Sequence, residues 1–396
     1  MMLAHVPLWL LFVSLSIALA AMVMTIINLR LFKPSPPAPA FDSGAGTTLP
    51  SLAVCIPARN EEPNIEACVR SVLDSDYPPL TVLVYDDQST DQTPRILERL
   101  KTADGRLKTV ATRPLGAGWV GKQWACDQLG HAADADYLLF IDADVRISSD
   151  CLARSVALAA ATRTDLLSTF PRQITLSLGE RLLIPLIHFI LLSYLPFPRM
   201  RSTSDPSASA ACGQFILVRR EAYLKIGGHG ACRGSMHDGV KLPRAFRRAG
   251  FKTDLFDGTD VAECRMYQGL SNTWRGFTKN AFEGLGSVGL LVFLTVLHAV
   301  GHVLPWLVLG ALALRGSLLS LPAAVAAAAV LVSLSQRLLL ARTFRQSLLS
   351  ALLHPVGVTM MTLVQWHSYV LALTGRRGWK GRTLAPQPLQ PAEPAR

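Results

Sequence analysis

Three short stretches of this chain place acids where strands are expected to end: Pro57-Ala-Arg-Asn-Glu61, Asp86-Asp87 and Asp142-Ala-Asp144. Carboxylates gathered in one place repel one another unless positive charge sits between them. A hard divalent cation is the natural counter-charge, and oxygen ligands favour Mg2+ or Mn2+ over softer metals. Mg2+ is commonly held by one or two carboxylates, with water and substrate phosphates completing its shell. Asp142 and Asp144 suit that arrangement, one taking the metal while the other reaches a ribose or a metal-bound water. Asp-x-Asp is also common as a helix cap, so the weight lies on the three strand ends together. Further along, Asp238 opens a helix-like stretch, Gly239 to Ala249, after a Gly-rich loop. There it either caps the helix or takes a proton from an attacking hydroxyl. Lys122, flanked by Trp119 and Gly121, reads as a site residue more readily than as a solvated lysine.

The elements that must position these groups are legible from pattern. Leu52–Ile56, Leu80–Tyr85 and Tyr137–Ile141 are short apolar runs of strand type, and helical patterns cover Pro63 to Leu73 and begin again near Thr93-Pro94. Strands alternating with helices predict an α/β domain with a parallel sheet covered on both faces. Ligands of such sheets bind beyond the carboxyl ends of the strands, which is where the acids fall.

Composition says where this domain sits. The chain has 396 residues, 50% hydrophobic and only 17% charged, against about a quarter charged in soluble domains. That excludes a disordered protein and argues against a wholly soluble one. The net charge of +11 fits contact with anionic lipid heads. No Lys/Arg run is interleaved with aromatics, so nucleic acid is set aside as a partner. Seven cysteines without a CxxC pair argue against a zinc site or disulfide framework.

Leu8 to Ile27 is an uncharged run long enough to span a bilayer, followed by Arg30 and Lys33. The positive-inside rule then places the following chain in the cytoplasm. The expected organisation is an N-terminal transmembrane anchor over 1–33, a linker over 34–50, a catalytic domain over 51–280, transmembrane or interfacial helices over 281–375 and a basic, Pro-rich tail over 376–396. Candidate spans in the fourth segment are Val288–Leu314, Leu318–Leu334 and Leu348–Leu373. Three full spans would leave the Arg376–Arg382 cations outside, against the rule, whereas an interfacial helix in place of one span would bring them back. His298 and His302 are expected to pack within the bundle. Leu182 to Leu195, too short to span, reads as an interfacial segment in preference to a buried core helix.

Val54-Cys-Ile-Pro-Ala-Arg-Asn-Glu-Glu62, Val84-Tyr-Asp-Asp-Gln-Ser-Thr-Asp91 and Phe140-Ile-Asp-Ala-Asp144 resemble the family 2 glycosyltransferases of GT-A fold. Gly118-Trp-Val-Gly-Lys122 and Cys212-Gly-Gln-Phe-Ile-Leu-Val-Arg-Arg-Glu221 are similar to the membrane-bound branch that includes hopene-associated, carotenoid-type and ceramide glycosyltransferases. The resemblance implies a cytoplasm-facing GT-A domain, Rossmann-like and nucleotide-sugar-binding, with one N-terminal transmembrane helix and two to three C-terminal helices in a cell membrane. It implies that Pro57, Arg59, Glu61, Asp86, Asp87, Lys122 and Asp142 bind the nucleotide-sugar, that Asp142 and Asp144 hold Mg2+ or Mn2+, and that Asp238 is the base. Trp274, Arg275 and Lys279 would contact the acceptor or the diphosphate, with Arg275 and Lys279 reading equally well as juxtamembrane anchors. Two departures stand out: Gln88 replaces the glycine of Asp-Asp-Gly-Ser, and His237 replaces one acid of the pair at the base. The Gln-x-x-Arg-Trp signature of processive members is absent. The resemblance therefore implies inverting transfer of one sugar, from a UDP-sugar, to a hydroxyl of a hopanoid, carotenoid or sphingolipid-like acceptor. A processive polysaccharide synthase, or a non-catalytic scaffold or transporter, are the alternatives.

Overall fold

A computed structural model describes residues 6–37, 49–376, 378–379 and 382–383. Most of the expected linker, Arg377, Lys380 and the tail from residue 384 lie outside the described residues. Eight strands form one sheet: β1 (Leu52–Ala58), β2 (Leu80–Asp86), β3 (Leu107–Thr109), β4 (Tyr137–Ile141), β5 (Val145–Ile147), β6 (Leu166–Gln173), β7 (Phe215–Arg219) and β8 (Thr253–Cys264), ordered β3-β2-β1-β4-β7-β6-β8-β5. Strands β1, β2, β3 and β4 are parallel, with Ile56 opposite Val84 and Leu52 opposite Tyr137. Their near-continuous apolar composition suits strands buried on both faces.

The sheet is mixed rather than wholly parallel, which corrects the parallel expectation. Strand β7 runs antiparallel to β4, with Ile141 opposite Phe215, and also to β6. Strand β5 runs antiparallel to β8. The physical reason is the route of the chain. After β6 it leaves the sheet through the helices Leu178–Leu183, Leu186–Tyr194 and Phe197–Ser202 and re-enters β7 from the carboxyl end of β4. The start of β7, Cys212-Gly213-Gln214, therefore lies at the same edge as the ends of β1 and β4. One core of Val54, Ile56, Val69, Val72 and Val84 packs the sheet against the helix Ile65–Leu73; a second packs Cys55, Tyr85 and Phe140 against the helix Gly121–Ala132.

Among the described residues, four helices are long and apolar enough to cross a membrane: Leu8–Leu31, Val288–Leu314, Leu321–Thr343 and His354–Leu373. The third runs beyond the expected Leu318–Leu334 and takes in Arg337. Arg337 is fully buried and donates from Nη2 to Ser350 Oγ at 3.0 Å. The expected segment Leu182–Leu195 is likewise buried, not laid out on a surface. Leu183, Phe189 and Leu192 are sealed between the catalytic sheet and the membrane helices. Too many of its faces are apolar for one to be left to water. The first helix is tied to it through Asn28, whose Nδ2 donates to the Leu192 and Leu195 carbonyls at 2.9 and 2.7 Å. Beyond that helix, Pro34 bridges to Asp257, and Asp257 N donates to the Lys33 carbonyl at 2.9 Å, joining the anchor to β8.

Candidate active site

The strand ends converge on a cavity of about 1250 Å³. Its polar floor is built from Pro57, Arg59 and Glu61 after β1, Asp142 and Asp144 after β4, and Asp238. Lys122 stands in the first turn of the helix Gly121–Ala132 and ties the floor together. Its Nζ lies 2.8 Å from Asp142 Oδ1 and 3.0 Å from Asp238 Oδ2, and donates to the Gly213 carbonyl at 3.0 Å. Burial works against the Lys122 charge, but the two carboxylates outweigh it and hold the ammonium protonated well above the usual lysine range. Burial likewise opposes the Asp238 carboxylate, yet the adjacent Lys122 keeps its pKa below the usual range. Asp238 is ionised at neutral pH.

Asp238 is the first residue of the helix Asp238–Arg248, whose N-cap is His237, so it does not serve as the cap. Its Oδ1 accepts from the neighbouring Gly239 N at 2.8 Å, while Oδ2 faces Lys122. Two glycines make room for this. A Cβ on Gly213 would lie 2.3 Å from Asp238 Oδ1, and one on Gly239 would lie 2.3 Å from the Ala211 carbonyl oxygen. His237 does not supply the second acid seen elsewhere, but Glu283 reaches the same loop: its Oε1 accepts from Ser235 Oγ and Met236 N.

The remaining sequence candidates divide. Asp86 and Asp87 are not on the cavity wall. Asp86 Oδ1 accepts from Ser89 N at 3.1 Å, and buried Asp87 lies behind Arg59, whose Nη1 is 3.9 Å from its Oδ2. Gln88 has φ +56°, the left-handed backbone that a glycine adopts freely, so the departure from Asp-Asp-Gly-Ser is a side chain in a glycine conformation. Arg275 and Lys279 line the cavity. Trp274 does not; its Nε1 donates to His367 Nδ1 at 2.9 Å. Sequence reasoning missed Gln173, Gln214, Arg265 and Tyr267 on the wall. Gln173 Nε2 donates to Gln214 Oε1 at 2.8 Å, and Gln214 Nε2 reaches Cys264 Sγ at 3.0 Å. Only the β6-β7-β8 pairing brings these residues together, and no local motif signals it.

The residues present fit a divalent cation. Asp144 Oδ1 is buried without a hydrogen-bond partner. Burial, then the neighbouring Asp142 and Glu61 carboxylates, push its pKa up to about 7. Positive charge is thus deficient at Asp144, beyond what Lys122 supplies. Among the described residues, no group of three or more His, Cys, Asp or Glu encloses a metal, so protein groups alone would leave part of its shell to a ligand. All seven cysteines are free, as the spacing implied.

The opposite wall of the cavity is apolar, with Ile187, Ile190, Leu191, Phe277, Leu285 and Met361 facing it. Residues 53–227 match the model of the glycosyl transferase family 2 domain. The chain is similar to 4,4'-diaponeurosporenoate glycosyltransferase of Staphylococcus haemolyticus, 26% identical over 260 residues, covering 65% of this chain and 68% of that protein. It is similar to the protein of the same name from Staphylococcus aureus, 27% identical over 242 residues, covering 60% and 62%. The chain thus spans about two thirds of the length of these curated relatives. Among solved structures it resembles the mannosyltransferase PcManGT from Pyrobaculum calidifontis in complex with GDP-Man and Mn2+, with TM-score 0.55 and 19% identity over 92% of this chain and 99% of that one. That likeness is one of fold.

Proposed function

We propose that this glycosyltransferase, whose residues 53–227 match the glycosyl transferase family 2 model, transfers a single sugar from a UDP-sugar to a hydroxyl of a lipid acceptor, with inversion, on the cytoplasmic face of a cell membrane. One observation carries the reading: Asp238 and Asp142 share one ammonium on the floor of a cavity whose other wall is apolar. A polar floor suits a sugar diphosphate and an apolar wall suits a hydrocarbon acceptor. The relatives named for diaponeurosporenoate support an acceptor of carotenoid type.

In the resting protein Lys122 neutralises two carboxylates at once. A diphosphate entering beside Arg59 and Lys122 competes for that ammonium, and Asp238 then loses the partner that suppresses its basicity. Asp238 accepts the proton of the acceptor hydroxyl as the oxygen attacks the anomeric carbon, and the nucleoside diphosphate departs on the opposite side. Arg275 and Lys279, which line the cavity, would stabilise the departing diphosphate. Asp142 and Asp144 would hold Mg2+ or Mn2+, which supplies Lewis-acid stabilisation of the leaving group when bound.

The test is Asp238→Asn in full-length protein. It should retain divalent-dependent nucleotide binding and lose transfer of label from nucleotide-sugar to lipid extract by about 10²–10⁴-fold. A panel of labelled UDP- and GDP-sugars names the donor. An Asp238→Asn enzyme of unchanged rate overturns the base assignment, and label confined to insoluble polymer overturns single transfer to lipid.

A further inference from the structure

By length and composition the helix His354–Leu373 qualifies as a membrane span. We infer that it does not cross: the chain enters it from the catalytic face and leaves it on the catalytic face, leaving three crossings and returning the chain's C-terminal cations to the catalytic side. The inference rests on chain connectivity and does not depend on the proposed reaction.

The three other apolar helices fix the two faces of the bundle. The helix Leu8–Leu31 ends on the catalytic face, where Lys33 joins β8. The helix Leu321–Thr343 runs in the same direction, since Leu11 clusters with Val325 and Ala326 while Gln336 Nε2 donates to Thr25 Oγ1 at 2.7 Å. It ends on the catalytic face too, where Arg345 pairs with Asp260 of β8. Between them, Val288–Leu314 runs the opposite way: Gly301 abuts Ile17 and Val308 packs with Leu11. The turn at 315–320 is therefore on the far face.

Both flanks of the last helix return to the catalytic face. It begins ten residues after Phe344, beyond Ser350, which is bonded to Arg337 within two turns of the catalytic-side end of Leu321–Thr343. It finishes where His367 accepts from Trp274 and Ser368 Oγ accepts from Phe282 N at 3.0 Å. Gly378, just past its end, lines the catalytic cavity itself. A 20-residue helix is about 30 Å long, but one with both flanks on a single face has not crossed. Its contacts show a dip and a return: His354 Nε2 lies 3.3 Å from His302 Nδ1, part-way into the bundle, after which Gly357 abuts the Leu182 carbonyl and Met361 and Gln365 line the cavity.

The opposite side of this helix identifies what covers it. Val356, Leu363, Val370 and Leu373 are each about half exposed and recur along one stripe at helical spacing. The stripe is continuous with a bundle whose other helices are in lipid, and Arg376 to Arg382 adds four cations immediately after it. Apolar side chains bordered by cations match an anionic leaflet seen edge-on. The helix is thus a wall one helix thick between lipid and the cavity holding Lys122 and Asp238.

The test uses full-length protein in sealed membrane vesicles and a membrane-impermeant maleimide. The native cysteines are buried or nearly so, and the unsubstituted protein sets the background. Asp134→Cys reports the catalytic face, Leu319→Cys the far face, and Arg376→Cys the disputed end. Arg376→Cys should label with Asp134→Cys in vesicles of one orientation and be silent, with it, in the other. Labelling alongside Leu319→Cys overturns the inference. A protease-cleavable epitope appended after Arg396 gives a second reading without altering the fold: it should be lost from the same side as the catalytic domain, and loss from the far side alone overturns the inference.

Discussion

Replacing Lys122 with methionine removes the charge and keeps the length. Two carboxylates, Asp142 and Asp238, then face one another without the ammonium they share. At an effective dielectric of about 20, the gross attraction of Lys122 for Asp238 at 3.0 Å is about 5.5 kcal/mol, and for Asp142 at 2.8 Å about 6 kcal/mol. Desolvation offsets most of this, and stripping one partner from a buried pair leaves a net loss of about 3–5 kcal/mol. The side chains are 20% exposed for Lys122 and 9% for Asp238, so solvent screening is modest. The assay is denaturant unfolding of the detergent-solubilised full chain for Lys122→Met, Asp238→Asn and the double variant. Asp238→Asn alone leaves Lys122 paired with Asp142, so its loss should be smaller, about 1–3 kcal/mol. The double variant should be more stable than the sum of single losses by about 1–3 kcal/mol. Lys122→Met should also recover stability as pH falls, because protonating one carboxylate ends the repulsion. Additivity within about 0.5 kcal/mol, with no such pH response, would refute the shared-lysine account.

Three further outcomes follow from the same structure. Gly213→Ala puts a Cβ 2.3 Å from Asp238 Oδ1, so it should displace the base and cut transfer by at least about tenfold while nucleotide binding, measured by calorimetry, is kept. His229, bonded to Tyr223 at 2.8 Å and buried, has its pKa lowered by desolvation to about 4. The unfolded chain takes up that proton near the ordinary histidine value and the folded protein does not. Stability should therefore fall as pH drops from about 6.5 towards about 4, and His229→Gln should flatten that part of a melting-temperature profile. Arg337 is buried, donates to the Ser350 hydroxyl and, among the described residues, forms no ion pair with a carboxylate. Arg337→Met should consequently leave the unfolding midpoint unchanged or raised by up to about 1–4 kcal/mol in stability, and a drop of several degrees would count against that view.

The catalytic half of the molecule was readable because its signals are local. Val54–Ile56 and Leu80–Tyr85 are strands whose composition declares them, and the acids that follow sit where any open α/β sheet binds ligands. What escaped was set by long-range pairing. Gln173, Gln214 and Arg265 reach the cavity only because β6, β7 and β8 align, and β7 enters backwards. Asp86 and Asp87 show the converse: a strong motif can serve the loop that holds Arg59 and never face the cavity. In the membrane half, hydropathy finds apolar helices but not their route. The candidate span Leu318–Leu334 stopped short of Arg337, because charge usually marks a boundary, whereas the helix runs on to Thr343.

The pairing of Thr25 with Gln336 spans 311 residues of chain, and this sets an order on synthesis. The first helix enters the bilayer before the catalytic domain exists, carrying Ser14, Thr25 and Asn28 on the face that is buried in the finished protein. At ribosomal rates of about 5–20 residues per second, Gln336 follows Thr25 by roughly 15–60 seconds. For that interval the Thr25 hydroxyl is without its Gln336 partner, whereas Ser14 already donates to the Leu10 carbonyl of its own helix. The partners of Asn28, Leu192, Leu195 and Phe197, are synthesised before Gln336, so the anchor's contacts with the catalytic domain are available before those with its partner helix.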